Sequence, residues 1–206
     1  MFEFFRAGGP FMVFLVFTSV VAVAFIIERG LALRWNKVIP PRVEDSLEKC
    51  QTPEETDALR RISEAHPSPI SRLLITAIDH QGMGKTENED MLQTQARHEM
   101  VQLERGLLVL EIIVGIAPLL GLVGTIHGLI TLFGDLGREG MGDNSAFARG
   151  IAIALNTTLM GLLIAIPSLI SWSYFTRKVE TLGVEMERMC EEFLRRQYKR
   201  KKKVGV

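Results

Sequence analysis

The sequence lacks the motifs that the common enzyme classes require. It contains no GxSxG nucleophile elbow, no HExxH zinc motif, no phosphate-binding P-loop and no GxGxxG dinucleotide fingerprint. It has only two cysteines and four histidines, and none of them falls at a metal-ligand spacing. The 24 basic and 24 acidic residues cancel, so the net charge says nothing about partners. We therefore expect no enzymatic activity, no metal, no cofactor and no nucleic-acid partner.

Charge is also missing from three long stretches of the chain. The stretch from Gly150 to Thr176 has no Asp, Glu, Lys, Arg or His, and neither has the stretch from Ala7 to Ile27. The stretch from Leu107 to Phe133 is interrupted only by Glu111 and His127. Because about 20 apolar residues in a helix cross a bilayer, the sequence predicts an all-α membrane protein with three transmembrane helices.

The basic residues predict the orientation of these spans. Only Arg6, Arg138 and Arg149 lie on the side of the N-terminus and of the loop between spans two and three. The other 21 basic residues lie on the opposite side, which the positive-inside rule places in the cytoplasm. The predicted organisation is 1–35, N-terminus and span one; 36–106, cytoplasmic helices; 107–134, span two; 135–149, periplasmic loop; 150–176, span three; and 177–206, cytoplasmic tail.

Two of the spans are expected to continue as helices into the cytoplasm. Thr86 and Glu89 have capping-box spacing, and no Gly or Pro follows until Gly106, so one helix is predicted to run from there into span two. Prolines before Thr86 divide the preceding segment into short helices. Span three is predicted to continue as an amphipathic helix, because its tail carries apolar residues at helical spacing: Val179, Leu182, Met186, Met189, Phe193 and Tyr198.

Two stripes of small residues, each with one hydroxyl, run along spans two and three. They are Ala117, Gly121, Thr125 and Gly128 in span two, and Ala154, Thr158, Gly161 and Ala165 in span three. Such stripes allow close helix packing, and their threonines either bond back to their own helix or line a polar path. Asn156 and Thr157 add polarity beside Thr158, which favours the path. We also expect Gly124 to serve close packing.

Four further groups lie at membrane depth. Glu111 either binds cations on the path or pairs with a basic residue such as Arg105, or else it is an interfacial carboxylate that reaches water. His127 is about 200° around the helix from Thr125, which favours an interhelical hydrogen bond or an interfacial position over a proton relay. Pro118 and Pro167 each remove a backbone hydrogen bond and are expected to kink their helices.

The residues of spans two and three resemble a known signature. The segment Ile116-Ala117-Pro118-Leu119-Leu120-Gly121-Leu122-Val123-Gly124-Thr125, with Gly128 and Phe133 after it, is similar to span two of the MotA/TolQ/ExbB proton-channel family. Gly150-Ile151-Ala152, Ala154-Leu155, Thr158, Gly161-Leu162 and Ala165-Ile166-Pro167 are similar to its span three. Ile27-Glu28-Arg29 also fits, and three spans fit the TolQ/ExbB branch.

The resemblance implies a homopentameric ring in the bacterial inner membrane around a dimer of an ExbD/TolR-like single-span partner. The partner's aspartate would carry protons past Thr125 and Thr158, and ion flow would drive work across the periplasm. Because both small-residue stripes lie in spans two and three, we expect these spans to build the inner wall of the ring. The bulky side chains of span one suit a lipid-facing role: Phe11, Phe14, Phe17, Val21 and Phe25. Better-known family members have a glutamate where this chain has Ile153, which leaves both H⁺ and Na⁺ open.

A second class of function fits the same residues. The two stripes could pack a helical scaffold that conducts nothing. A neighbouring gene for a short protein, with one apolar span that contains a single aspartate, would favour the motor over the scaffold.

Overall fold

A computed structural model of the chain describes residues 9–139 and 144–204, and within these ranges every regular element is an α-helix. The helices are α1 Gly9–Ala32, α2 Trp35–Val38, α3 Pro41–Lys49, α4 Pro53–Ala65, α5 Pro69–Asp79, α6 Lys85–Glu104, α7 Leu107–Glu139 and α8 Asn144–Val204. Three of them, α1, α7 and α8, contain segments long and apolar enough to span a membrane. The predicted all-α membrane protein with three spans is confirmed.

The helices form two compact units. Residues up to Arg29 and Gly106–Tyr174 make the membrane unit, while Gly30–Arg105 and the residues from Phe175 onward make the extramembrane unit. The unit boundaries lie within a few residues of the predicted ends of the spans. The chain therefore changes from apolar to charged sequence where the structure changes from one unit to the other.

Two predicted boundaries were wrong. The helix predicted to run without interruption into span two is divided at Arg105–Gly106, where a Cβ on Gly106 would lie 2.5 Å from Arg29 Nε. The glycine thus admits the Arg29 side chain at this point. The predicted loop 135–149 is mostly helical, since α7 continues to Glu139 and α8 begins at Asn144; residues 140–143 lie outside the described residues, as do residues 1–8.

Prolines and polar caps start the short helices of the extramembrane unit. Pro41, Pro53 and Pro69 occupy first-turn positions, where a missing N–H costs nothing. The capping box lies at Thr52 and Glu55, not at Thr86 and Glu89, because α6 begins at Lys85 after an uncapped Gly84. Glu55 Oε2 accepts hydrogen bonds of 2.7 Å from the backbone N–H groups of Gln51 and Thr52.

The amphipathic tail of α8 supplies one side of the core of this unit. The predicted apolar face is buried at Val179, Leu182, Met186, Met189 and Phe193. The last four of these pack in one core with Leu59, Ile70, Leu73 and Leu74 among others, and Tyr198 packs against it. Both free cysteines, Cys50 and Cys190, belong to this core.

Two polar contacts cross the same core. Glu99 is 1% exposed and receives two hydrogen bonds from Arg72, at 2.7 and 2.5 Å, and one from Gln95 at 2.8 Å. Asn88 Nδ2 donates to the Ala77 carbonyl at 3.0 Å and to the Tyr198 hydroxyl at 3.1 Å. These contacts hold α5, α6 and α8 in a specific arrangement.

Candidate functional site

The two stripes of small residues pack against each other inside the membrane unit. A Cβ on Gly161 would lie 2.5 Å from the Ala117 carbonyl oxygen, and a Cβ on Gly121 would lie 2.8 Å from that of Thr157. A Cβ on Gly128 would lie 3.0 Å from Ala154 Cβ. Helices α7 and α8 are therefore antiparallel here and in backbone contact, which only glycine allows at 121 and 161.

This close approach brings three hydroxyls into one cluster. Thr125 Oγ1 lies 2.6 Å from Thr158 Oγ1 and 3.2 Å from Thr157 Oγ1. Thr125 also donates to the Ala154 carbonyl at 2.9 Å, and Thr157 reaches the carbonyls of Gly121 at 3.1 Å and Ala154 at 2.8 Å. We call Thr125, Thr157 and Thr158 the hydroxyl cluster.

The members of the cluster differ in exposure. Thr125 is 8% exposed and Thr157 is 1% exposed, whereas Thr158 is partly exposed. Since each hydroxyl has one proton, Thr125 and Thr157 can satisfy the two backbone carbonyls while Thr158 donates to Thr125. In that arrangement the Thr158 oxygen can still accept a hydrogen bond. Thr158 is the cluster hydroxyl with access to a group outside the chain.

The sequence did not reveal that the Thr157 hydroxyl lies between the two helices. We predicted it as added polarity beside Thr158, yet its hydroxyl joins both helices and a Cβ on Gly124 would lie 2.9 Å from it. The available signal was the adjacent Thr157-Thr158 pair opposite Gly121 and Gly124. A threonine pair beside glycines on a facing helix indicates that one hydroxyl is buried between the helices.

Other predicted site residues lie apart from this cluster. Glu111 is exposed and lies about 20 Å along α7 from Thr125, at 1.5 Å per residue. Asn156 is partly exposed and is absent from the hydrogen bonds of the cluster among the described residues. The structure therefore groups three of the five predicted path residues and leaves the roles of Glu111 and Asn156 as predictions.

The structure places Pro118 and Pro167 inside their helices and His127 against α1. Pro118 and Pro167 lie inside α7 and α8, which continue through them. His127 is exposed on α7, and its ring makes an edge contact with Phe11 at a centroid distance of 5.5 Å. That places His127 beside α1, away from Thr125.

Helix α1 packs differently from the prediction at several positions. Phe14 and Phe17 are exposed as expected for a lipid-facing helix, but Phe11 contacts Gly124 and His127, and Val21 packs against the membrane-unit core. The buried face of α1 consists of Met12, Leu15 and Ala22. Aromatic size alone could not show which side of α1 is buried.

Comparison with known proteins agrees with this architecture. The model of the MotA/TolQ/ExbB proton channel family matches residues 65–188, more than half of the chain. A putative biopolymer transport protein ExbB homolog of Methanothermobacter thermautotrophicus is 32% identical over 183 residues, 86% of this chain and 63% of that protein.

Two further relatives are covered over most of their length. The putative biopolymer transport protein ExbB-like 3 of a Synechocystis species is 31% identical over 82% of this chain and 81% of its own. The biopolymer transport protein ExbB of Neisseria meningitidis is 24% identical over 91% of this chain and 92% of its own. With its three apolar helices and these relatives, the chain is a multi-pass membrane protein that belongs to the MotA/TolQ/ExbB proton channel family.

Proposed function

We propose that this chain is the channel-forming subunit of a motor in the bacterial inner membrane, driven by the proton-motive force. In this proposal several copies form a ring, pentameric by resemblance, around an ExbD/TolR-like partner with a single span. The N-terminus is periplasmic, and the extramembrane unit and tail are cytoplasmic. Ion flow through the ring is coupled to mechanical work across the periplasm.

The hydroxyl cluster is the observation that carries the proposal. A carboxylate needs a hydrogen-bond donor, whereas a protonated carboxyl group also needs an acceptor. Thr158 can serve both, because its proton can turn either toward Thr125, 2.6 Å away, or outward while Thr125 donates to it. A partner carboxyl that takes up and releases a proton would keep a hydrogen-bond partner in each state, which lowers the cost of its burial.

Substitutions at Thr158 test this role. Thr158→Val keeps the shape of the side chain and removes its hydroxyl, so co-purification with the partner should persist while proton flux through the reconstituted complex collapses. Thr158→Ser keeps the hydroxyl and should retain most of the flux. Full flux in a Thr158→Val complex that assembles normally would contradict the proposal.

A non-conducting scaffold is the second candidate, and the Gly121–Gly161 contact is compatible with it. Backbone contact between α7 and α8 would need the same glycines whether or not ions pass. A scaffold predicts that Thr158→Val and Thr158→Ser behave alike in every assay. A sodium-driven motor, left open by Ile153, predicts flux that follows a Na⁺ gradient and persists without a pH gradient.

A further inference from the structure

An exposed stripe runs along α8 within the extramembrane unit. Its residues recur at spacings of four, three, four, three and four: Arg177, Thr181, Val184, Arg188, Glu191 and Arg195. The opposite face of the helix is buried in the core of the unit. The average spacing of 3.6 residues places these side chains on one face of the helix. Val184 on this stripe is 67% exposed.

The two edges of the stripe carry opposite charge. Glu180, Glu187 and Glu191 lie on one edge. Arg188, Arg195 and Lys199 lie on the other. Glu187 and Arg188 are consecutive residues, so they are about 100° apart around the helix. The acidic edge and the basic edge thus run side by side along the same part of α8, separated by roughly a right angle.

The acidic edge borders a groove between α6 and α8. The groove encloses about 260 Å³, with carboxylates from Glu89, Asp90, Glu187 and Glu191 around it and Leu92 and Cys190 among its apolar lining residues. Glu89 forms an ion pair with Lys85 at 3.0 Å. The groove combines a negative rim with an apolar floor, which suits the long stems and charged heads of Arg and Lys side chains.

Several of these charges have no counter-ion within the part of the chain that the structure describes. Glu187 and Glu191 on the acidic edge form no ion pair there, and neither do Arg195 and Lys199 on the basic edge. Arg188 pairs with Glu185 at 2.5 Å and with Glu192 at 3.7 Å on its own helix, so the unpaired charge of the basic edge lies at Arg195 and Lys199. Both edges therefore keep charge available for a contact outside the chain.

We propose that the basic edge of α8 in one copy of the chain docks against the acidic edge and groove of the next copy. This inference rests on the proposed homo-oligomer and names the surfaces that join its copies. Because the two edges differ, the contact is head-to-tail and generates a ring when the rotation closes. Glu187 and Arg188 are only about 1.5 Å apart along the axis of α8, so parallel helices of two copies can meet without an axial shift. The angle of about 100° between the two edges is close to the angle between the directions from one subunit to its two neighbours in a small ring.

Cross-linking between two tagged populations tests the head-to-tail contact. One population carries Glu187→Cys and the other Arg188→Cys, with Cys50 and Cys190 left in place because both are buried. Co-expressed and oxidised in membranes, the mixture should form mixed dimers, whereas each population alone should form few. Asp57→Cys mixed with Arg61→Cys, both on exposed positions of α4, is the matched control and should not cross-link.

Charge reversal gives an independent measurement. The double variant Glu187→Lys with Glu191→Lys should weaken self-association of the purified complex roughly tenfold or more. Adding Arg188→Glu and Arg195→Glu to the same chain should restore part of it, because the substituted positions of the two edges again carry opposite charge. A purely structural effect would not be reversed by two further substitutions.

The other results overturn the inference in distinguishable ways. An oligomer of normal mass without mixed cross-links refutes the docking surface and leaves the proposed motor standing. This holds whether the introduced cysteines react freely with maleimide or are covered by a different protein. Efficient cross-linking of Glu187→Cys to itself indicates a two-fold contact and refutes the head-to-tail arrangement. A monomeric chain refutes both the surface and the ring.

Discussion

Substitution of Gly161 by alanine tests whether the backbone contact between α7 and α8 holds the hydroxyl cluster together. The added methyl group would lie 2.5 Å from the Ala117 carbonyl oxygen and 3.2 Å from Gly121 Cα. Carbon–oxygen contacts normally close to about 3.3 Å, so the helices must separate by roughly 0.8 Å. Both neighbours are backbone atoms and cannot move aside alone.

The expected cost has two parts. Overpacking of this kind costs about 1–3 kcal/mol, against a gain of about 0.5–1 kcal/mol from replacing a helical glycine by alanine. The same separation would lengthen the 2.6 Å contact between Thr125 and Thr158 beyond the usual range of about 2.5–3.0 Å for hydroxyl pairs. Gly161→Ala should therefore lower both the stability and the ion flux of the complex.

Gly115→Ala in α7 is the matched control, because nothing lies within 4 Å of its added methyl group. The assay is the unfolding temperature of the purified complex in detergent, followed by proton flux after reconstitution. Gly115→Ala should be as stable as the unmodified chain or slightly more so. If Gly161→Ala unfolds at the same temperature as Gly115→Ala and conducts normally, the backbone contact is not as close as described.

Three further predictions concern charged groups. Arg72→Ala should destabilise the extramembrane unit by about 1–3 kcal/mol in thermal or denaturant unfolding, since it leaves the buried Glu99 carboxylate without its cation, while the 42% exposure of Arg72 limits the loss. Arg72→Ala combined with Glu99→Gln should recover part of this loss, and no recovery would refute the ion-pair explanation. Hydrogen bonds from the backbone N–H groups of Gln51 and Thr52 lower the pKa of Glu55. The contribution of Glu55 to stability is therefore present above the ordinary carboxyl pKa and is lost as pH falls through the lowered value. Glu55→Gln should flatten the acid side of the stability–pH curve, and an unchanged curve would count against this explanation. Glu111→Gln should leave assembly intact and reduce proton flux partially, whereas wild-type flux at every pH would make Glu111 an interfacial bystander.

Much of the membrane unit could be predicted from the sequence because charge and hydropathy determine it directly. Three apolar stretches gave three spans, and the spacing of Gly121, Thr125, Thr158 and Gly161 identified the residues that meet between α7 and α8. Small residues at helical spacing have few other uses in a membrane, so their pattern is informative.

The predictions failed where contacts between residues distant in sequence, rather than the local residue pattern, determine the structure. The interruption lies at Gly106, where the Arg29 side chain, distant in sequence, occupies the space that a Cβ would need. Thr52 and Glu55 have the same capping-box spacing as Thr86 and Glu89. Spacing alone does not show which of the two pairs lies at the start of a helix, where backbone N–H groups need a partner. The burial of Thr157 depends on the facing Gly124, a contact that one helix alone does not specify.

Proton flux through the purified complex in liposomes tests the central claim most directly. The chain is reconstituted with its single-span partner, a membrane potential is imposed, and internal pH and Na⁺ are followed with separate dyes. We predict proton uptake above that of empty liposomes, independent of Na⁺, retained in Thr158→Ser and abolished in Thr158→Val. An intact complex whose flux equals that of empty liposomes, or whose flux is unchanged by Thr158→Val, would contradict a proton path at the hydroxyl cluster.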